Sequence, residues 1–399
     1  MKLQTLSPKQ RDFLLNSNAR INIAYGSVRS GKTLVSLLRW LYIVATAPEG
    51  SGLLMIGKTE RTLRRNILDL IAELVEPNDY KLNSGMGECY IYGKKIYLVG
   101  ANDERAENKI RGITLYAAYL DEATLCPESF FRMLLSRLST ENAILLATTN
   151  PDSPAHYIKK AFIDRAGDLN LKSWHFTLDD NKTLPEQYVK EISKEYTGLW
   201  YQRYILGNFV MAEGAIYPDY QRAVIAESDM PTQFETYIVT CDYGTTNPFV
   251  YLLVGRVNGV WYVIKEFYYD SSKSGIRVNT QQSAELGKFL GNILPASVEV
   301  DPSEPGFIEQ LRRDYPAMDD RAIIGHAINA VLIGIQNTAQ MMYQGKLKIS
   351  DACTNTLKEM AGYTWDPKAT EKGEDVPVKV NDHAMDCLRY AVNRITWDY

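Results

Sequence analysis

The sequence predicts two consecutive α/β domains. Its 399 residues, 45% of them apolar, exceed what one hydrophobic core usually serves. The first half alternates short apolar runs with helical patterns, which favours a mostly parallel sheet with flanking helices. From about residue 212 closely spaced strands follow one another instead. We therefore expect domains at 1–212 and 213–399, with a short linker subdomain near 171–212.

The composition argues against several classes of protein. The 44 basic and 48 acidic side chains give a formal net charge of −4, so no overall positive field draws the chain to nucleic acid or anionic membranes. Five scattered cysteines without C-x-x-C spacing indicate reduced thiols in a cytosolic protein, and neither a disulfide framework nor a zinc site. No run of about 18 apolar residues occurs, so we expect a soluble protein without a secretion signal.

The first motif is the glycine-rich segment "YGSVRSGKT", which has the spacing G-x-x-x-x-G-K-[ST]. It follows the strand-like run "INIAY" and precedes the helical run "TLVSLLRWLYIVATA", which is the context of a phosphate-binding P-loop. Lys32 would reach the β and γ oxygens of a nucleotide, and Thr33 would offer its hydroxyl to Mg²⁺. Gln10 is a candidate for the adenine edge. The predicted loop contacts are Gly26, Ser27, Arg29, Ser30, Gly31, Lys32 and Thr33.

Two later strand ends supply the other groups that a P-loop enzyme requires. "LYAAYLDEA" is expected on a neighbouring buried parallel strand, with Asp121 holding Mg²⁺ and Glu122 polarising the attacking water. "AILLATTNP" ends in Thr148, Thr149 and Asn150, where a γ-phosphate sensor would lie. Either acid alone is also compatible with a helix cap, and the last three residues with an ordinary turn.

Between these strands, "TERTLRRNILDLIAELV" has an apolar stripe at helical spacing. Arg61, Arg64 and Arg65 fall on another face. They can contact DNA phosphates or the nucleotide of a neighbouring subunit, although a solvated basic face is the commoner outcome.

The second half predicts a meander of "YIVTCDYG", "FVYLLVGRV" and "VWYVIKEFYYD", the last two joined by Asn258-Gly259. A helical stretch, "TQQSAELGKFLGNIL", and a fourth strand, "SVEVD", follow. This order is compatible with a ribonuclease H-like core. The polar segment "DPKATEKGEDVPVKVN" is interpreted as a mobile flap, with an inert surface loop as the alternative.

Acidic residues occur at informative places in this second domain. Asp242 and Asp301 end two strands, and Asp382 and Asp386 lie one turn apart at the start of a helix. If these carboxylates converge, their repulsion requires cations between them, and two Mg²⁺ or Mn²⁺ ions would both satisfy them and clamp a phosphodiester hydrolysis. His383 is a candidate metal ligand or proton-transfer group. Glu299 and Glu304 are rivals for the role of Asp301, and the other histidines are expected to be structural or exposed.

In their order and spacing, these motifs resemble the large subunit of a tailed-bacteriophage terminase over nearly the whole chain. The motifs are "GSVRSGKT", "YLDEA", "TTNP", "GNFVMAEGAIYPDY", "CDYG", "VDPSEPG" and "NDHAMDCLRYA". The resemblance implies an ATPase that translocates double-stranded DNA into a procapsid, fused to a metal-dependent nuclease that cuts concatemeric DNA. Lys32 and Thr33 resemble the Walker A positions, Asp121 and Glu122 the Walker B pair, and Thr148 to Asn150 the coupling motif. Asp242, Asp301 and Asp386 resemble the nuclease acids.

The resemblance also implies partners. They are double-stranded DNA, the portal protein of the procapsid and a small terminase subunit, with this chain forming a ring at the portal in the host cytoplasm and a monomer in solution. Tethering at a portal explains the absence of a strongly basic composition. Two alternatives stay open, an ATP-dependent repair or recombination nuclease and a non-catalytic nucleotide-switched scaffold.

Overall fold

The computed structural model describes residues 6–397, so residues 1–5 and 398–399 of the two predicted domains lie outside the described residues. The chain divides into two compact units. One extends to Met211 and also includes Glu371–Glu374, and the other runs from Ala212 to Thr370 and resumes at Asp375. The mixed α/β fold class predicted from the sequence is confirmed.

The first unit is built on an eight-stranded sheet in the order β3-β4-β5-β2-β6-β7-β1-β8. The strands from β5 to β8 in this order are parallel, and β3 and β4 add an antiparallel edge. The strands are β1 (Ile21–Gly26), β2 (Leu53–Gly57), β3 (Tyr80–Asn83), β4 (Glu88–Ile91), β5 (Lys94–Gly100), β6 (Ala117–Leu120), β7 (Ile144–Thr149) and β8 (Leu171–Phe176).

Helices cover both faces of this sheet, and a hydrophobic core lies on each face. They are α1 (Pro8–Asn16), α2 (Lys32–Thr46), α3 (Glu60–Leu63), α4 (Asp69–Leu74), α5 (Glu128–Arg137), α6 (Glu186–Glu195) and α7 (Gly198–Trp200). Helix α1 begins where its sequence favours a start, since Ser7 and Gln10 form a capping box around Pro8. The predicted helix with the apolar stripe is interrupted, because a π-helical turn at Arg64–Leu68 joins α3 to α4.

Two expectations about this unit need correction. The strand of Asp121, β6, is not adjacent to β1, because β7 pairs with both and lies between them. The predicted linker near 171–212 does not begin at Leu171, because Leu171–Phe176 form β8 and pair directly with β1 in the main sheet.

The second unit contains a seven-stranded sheet in the order β14-β13-β10-β11-β12-β15-β9. Strands β10, β11 and β12 form the predicted antiparallel meander, while β13 and β14 continue the sheet in parallel from β10. The strands are β9 (Val224–Ile225), β10 (Thr236–Asp242), β11 (Phe249–Val257), β12 (Val260–Tyr269), β13 (Ser297–Val300), β14 (Ile324–His326) and β15 (Leu347–Ser350).

Beyond Ala212 the helices are α8 (Ser271–Ser274), α9 (Asn279–Leu290), α10 (Pro305–Asp314), α11 (Pro316–Asp319), α12 (Val331–Tyr343), α13 (Thr354–Gly362), α14 (Pro367–Glu371) and α15 (His383–Trp397). The segment interpreted as a flap, with an inert surface loop as the alternative, has some regular structure. It contains α14, and Thr370 and Asp375 are buried. An isolated bridge joins Trp365 to Pro377.

All five cysteines are free and buried. His156 and His175 direct their Nε2 atoms at backbone carbonyl oxygens, those of Thr124 and Leu206, in keeping with structural roles. Within residues 6–397, the helices are too short or too polar to cross a bilayer.

Candidate functional site

The glycine-rich loop between β1 and α2 closes around the side chain of Lys32. Gly26 and Gly31 have φ angles of 141° and 86°, which L side chains rarely adopt, so the loop depends on glycine at both ends. Lys32 Nζ donates hydrogen bonds to Gly26 O at 3.1 Å and to Ser27 O at 2.6 Å. The Ser27 hydroxyl is buried and has no hydrogen-bond partner in the described part of the chain, so the loop retains an unused polar atom.

Lys32 also joins the loop to the end of β7. Its Nζ lies 3.1 Å from Asn150 Oδ1, the last of the three polar residues predicted to sense the γ-phosphate. Burial lowers the pKa of Lys32 to about 7, against the opposing effect of the negative charge of Asp121. An anion placed beside this amine would favour its charged form.

A cavity of about 330 Å³ opens at the carboxyl ends of the central strands, which is where ligands bind in open α/β sheets. It is lined by Val28, Arg29, Lys32, Thr33, Asn66, Asp121, Glu122, Thr148, Thr149 and Asn150. All of these except Val28 and Asn66 are candidate site residues from the sequence. The cavity is therefore bounded by cationic, carboxylate and hydroxyl groups, which are the groups that a nucleoside triphosphate and its bound cation require.

Asp121 follows β6 and is held by the neighbouring strand. Thr148 Oγ1 donates to Asp121 Oδ1 at 2.7 Å. Burial raises the pKa of Asp121, while the Thr148 hydrogen bond and the charge of Lys32 oppose the increase. Asp121 and Thr33 both line the cavity, and their oxygen atoms are of the kind that Mg²⁺ prefers.

Glu122 has an unusual backbone conformation. Its φ angle is 53°, in the left-handed region that costs a residue with a Cβ atom about 1 kcal/mol or more. Burial raises the pKa of its carboxyl group and the charge of Asp121 adds to the effect, while Arg65 and Lys58 oppose it. Backbone strain and a raised pKa at one residue are both typical of a group that activates water.

Thr149 connects the ends of β6 and β7 and does not point only at the cavity. Thr124 N donates to Thr149 Oγ1 at 3.0 Å, and the two hydroxyl oxygens are 2.7 Å apart. Thr124 also donates to Asn150 O at 3.2 Å. These hydrogen bonds tie the residues at the end of β7 to the turn that carries Glu122.

Two other predicted contacts lie behind the loop. Gln10 is buried, its Oε1 accepts a hydrogen bond from Ser7 N, and its Nε2 is so near Gly31 that an added Cβ would lie 2.3 Å away. Ser30 Oγ donates to Ser27 O at 2.8 Å. Both residues support the loop. The side-chain carbonyl oxygen of Gln10 is already used as an acceptor in the capping box of α1.

The second unit gathers acidic residues at the end of its sheet. Asp242 ends β10 and Asp301 follows β13, and these parallel neighbours pair Cys241 with Val300. Asp301 N donates to Cys241 O at 3.1 Å, so the two aspartates leave adjacent strands at the same level. Asp386 lies in the first turn of α15, a helix whose side chains pack in the core beside the meander.

Asp242 interacts directly with His383. His383 Nδ1 lies 2.8 Å from Asp242 Oδ2. Burial raises the pKa of Asp242 to about 6; the hydrogen bond from His383 opposes this, and the charges of Asp386 and Asp301 add to it. Burial alone would lower the pKa of His383, but the hydrogen bond and charge of Asp242 together with the charges of Glu359 and Asp382 outweigh it, and the net direction is upward. The negative charges of Asp386 and Asp301 therefore both act on the carboxyl group of Asp242.

Asp386 has a protein cation on each of its carboxylate oxygens. Arg389 Nη2 donates to Oδ1 at 2.6 Å, and Lys379 Nζ lies 3.4 Å from Oδ2. The same ammonium group lies 3.1 Å from Asp382 Oδ2. Asp382 precedes α15 and accepts the Asp386 amide hydrogen on its backbone oxygen at 2.8 Å, which places it at the helix start as predicted.

The expected ligand shell is not formed by these side chains as they stand. Among residues 6–397, no group of three or more histidine, cysteine, aspartate or glutamate side chains is arranged to hold a metal ion. In the second unit three of these acids have basic partners instead: His383 contacts Asp242, Lys379 contacts Asp382 and Asp386, and Arg389 contacts Asp386. The donors themselves are hard oxygen atoms, so the residues fit Mg²⁺ or Mn²⁺ in chemistry.

The two rivals of Asp301 have different surroundings. Glu299 Oε1 lies 3.1 Å from Arg394 Nε of α15, so this carboxylate has a guanidinium partner. Glu304 occupies the N-cap position of α10 without a capping hydrogen bond from its side chain, and burial together with the charge of Asp301 raises its pKa. This favours Asp301, with Glu304 beside it, as the second acidic position.

A family model for the terminase large subunit, T4-like virus type, N-terminal, matches residues 23–223, which span the loop, β6 and β7. The chain belongs to the phage terminase large subunits. The sequence resemblance is thereby confirmed.

Matches to solved and curated terminases extend over nearly the whole chain. The large terminase of a thermophilic bacteriophage is 36% identical, with a TM-score of 0.87, and the match covers 98% of this chain and 99% of that one. The same phage enzyme has also been solved with ADP, at 36% identity and a TM-score of 0.86, with 98% of this chain and 99% of that one covered. The PBSX phage terminase large subunit of Bacillus subtilis (strain 168) is 22% identical over 431 residues, covering 98% of this chain and 94% of the relative.

Sequence reasoning missed two residues of this terminase's cleft. Asn66 lines the cavity from a π-helical turn, and its position in a sequence typical of an ordinary helix gave no signal for it. Gly207 supports the loop from outside: its φ angle is 71°, and an added Cβ would lie 2.7 Å from Ser27 N. The aromatic, turn-bearing run around Gly207 was the available signal.

Proposed function

We propose that this terminase large subunit hydrolyses ATP in its first unit to drive double-stranded DNA into a procapsid, and that its second unit cuts the DNA. The observation that carries the proposal is the convergence of Lys32, Asp121, Glu122 and Asn150 on one cavity. The domains at 1–212 and 213–399 would be the motor and the nuclease. Packaging would take place in the host cytoplasm.

In the first unit, each residue has a role that follows from its position. Lys32 and Arg29 would contact the phosphate oxygens, and Asn150 would report on the γ-phosphate because it shares Lys32. A magnesium ion held by Thr33 and Asp121 would supply charge neutralisation during phosphoryl transfer. Glu122 would take a proton from the attacking water, for which its raised pKa is suited. The thermophilic phage terminase solved in complex with ATP-γ-S supports nucleotide use by this chain.

In the second unit, Asp242, Asp301, Asp382 and Asp386 would hold two divalent ions. Bound ions would supply a deprotonated water and stabilise the charge on the cleaved phosphodiester. His383 would orient Asp242 through its Nδ1 contact and offer a site for proton transfer. Arg389 would fix the Asp386 carboxylate in one orientation.

The test of the packaging function uses portal-bearing procapsids and the small terminase subunit. Purified protein, linear double-stranded DNA and ATP should yield DNA that is protected from added DNase. ATP turnover should rise when procapsids are added to the DNA. If free DNA ends raise the turnover as much as procapsids do and no DNA becomes protected, a repair or recombination nuclease is the better assignment.

Asn66 yields a further expected result at the same cleft. Asn66→Ala should lower kcat for ATP roughly tenfold and change KM less than about threefold, because an exposed amide at the cavity mouth can orient the attacked phosphate or its water in the transition state. Steady-state ATPase kinetics measure both constants.

Arg64→Ala is the matched control for Asn66. Arg64 lies in the same π-helical turn but lines a different cavity, of about 240 Å³, together with Glu60 and Arg61. Its removal should leave both constants near the wild-type values. A wild-type kcat for Asn66→Ala would remove Asn66 from the catalytic surroundings.

A further inference from the structure

The acid cluster of the second unit comprises Asp242, Asp301, Asp382 and Asp386. Lys379 contacts two of these four residues. Its Nζ lies 3.1 Å from Asp382 Oδ2 and 3.4 Å from Asp386 Oδ2. Its side chain is 55% exposed, whereas those of Asp382 and Asp386 are 9% and 16% exposed. A solvent-accessible ammonium group therefore bridges two largely buried carboxylates.

The second cation at Asp386 cannot leave in the same way. The Arg389 side chain is 1% exposed, and it donates to Asp386 Oδ1 and to Asn329 Oδ1, each at 2.6 Å. Burial and two strong hydrogen bonds fix this guanidinium. Of the two cations that contact Asp386, only Lys379 can be exchanged without disrupting the interior.

The backbone on both sides of Lys379 is anchored. Val378 N donates to Thr364 O at 2.9 Å, and α15 begins four residues after Lys379, at His383. The lysine side chain can therefore release the carboxylates by rotation about its own bonds, without movement of the neighbouring chain.

We propose that Lys379 is the exchangeable counter-ion of the acid cluster: its ammonium group occupies Asp386 and Asp382 until a divalent cation displaces it. This inference rests on the proposed metal-dependent nuclease. Displacement exchanges one positive charge for two at a site where Asp242 and Asp301 add further negative charge. Divalent ions would then compete with the Lys379 ammonium group for Asp386 Oδ2, and nuclease activity would depend on this competition. While no divalent ion is bound, the lysine would offset the repulsion between the acids.

The test measures Mn²⁺ binding to the full chain in the absence of nucleotide, by the electron paramagnetic resonance signal of free Mn²⁺. Lys379→Met keeps a long apolar side chain and removes the charge. Its apparent Kd for Mn²⁺ should fall roughly fivefold to tenfold, as expected when partly exposed ion pairs no longer compete. Any Mn²⁺ site in the first unit is identical in both proteins, so the difference reports the acid cluster.

Two control variants accompany it. Lys368→Met removes an exposed lysine from α14 and should bind Mn²⁺ as the wild type does. Lys379→Arg retains the positive charge and should not bind more tightly than the wild type. A thermal melt without metal establishes that Lys379→Met is folded, and a modest decrease in Tm is expected because the acids lose a counter-ion.

The possible results separate the two proposals. If the wild type binds Mn²⁺ and Lys379→Met binds it equally or more weakly, Lys379 is not a competitor and this inference is overturned while the nuclease proposal stands. If Asp242→Asn and Asp386→Asn bind Mn²⁺ as the wild type does, the acid cluster is not a metal site and both proposals are overturned.

Discussion

Lys32→Ala should lower ATP turnover by at least about 100-fold and leave divalent-ion-dependent DNA cutting within about twofold of the wild-type rate. The physical reason is that Lys32 Nζ is the buried cation of the cavity and joins the loop to Asn150, while the acids lie in the other unit. ATPase assays and plasmid nicking with Mn²⁺ measure the two activities on one preparation.

Lys94→Ala is the matched control. Lys94 Nζ also donates to backbone carbonyls of the first unit, those of Ala45 and Ala47, but lies outside the cavity. It should keep both activities. Loss of all cutting in folded Lys32→Ala protein would count against separate active sites.

The same lysine predicts a pH effect. With a pKa of about 7, lowered by burial, roughly nine-tenths of the Lys32 amine is neutral at pH 8 and most of it is charged at pH 6. Bound phosphates favour the charged form, so binding of Mg²⁺-ATP should take up close to one proton at pH 8 and little at pH 6. Calorimetric titrations in buffers with different ionisation enthalpies measure the uptake. A binding heat that is independent of the buffer at pH 8 would contradict it.

Asp242→Asn should abolish DNA cutting, by at least about 1,000-fold, while ATP turnover persists. Asparagine preserves the size of the side chain and can still contact His383 Nδ1, but it removes the charge between the ends of β10 and β13. Gel assays of plasmid nicking over a series of Mn²⁺ concentrations measure the loss.

Asp319→Asn serves as the control for this substitution. Asp319 belongs to the same unit, and its Oδ1 lies 3.4 Å from Nε of Arg312, a residue of α10. It should cut DNA at the wild-type rate. A collapse of both activities in Asp242→Asn protein with an unchanged Tm would indicate one shared site instead of two.

The parts of the fold that local sequence determines were predictable. The strand β1, the glycine loop and α2 are contiguous, so a single motif in its flanking context is sufficient to predict them. The ends of β6 and β7 were recognisable because polar residues follow fully buried strands. Their spatial order was not, because β7 enters between β1 and β6 and no local pattern encodes which strands pair.

The residues that escaped prediction depend on irregular backbone or long-range contacts. Asn66 lines the cavity from a π-helical turn, but the sequence of this turn is typical of an ordinary α-helix. Lys379 was part of a charged segment typical of solvated loops, and only the fold places its ammonium group against Asp382 and Asp386. The proximity of Asp242 and Asp301 likewise depends on the register of β10 and β13, which no local pattern encodes.

The burial of every cysteine has a practical consequence for observing the motor. Burial raises the pKa of Cys89, Cys126 and Cys353 to about 12, so these thiols form few thiolates near neutral pH and react slowly with maleimide dyes. Gly167 and Gly306 each have open space where a Cβ would be added, one in each unit. Cysteines introduced at these two positions would therefore accept maleimide dyes selectively, one on each unit, in the otherwise native chain.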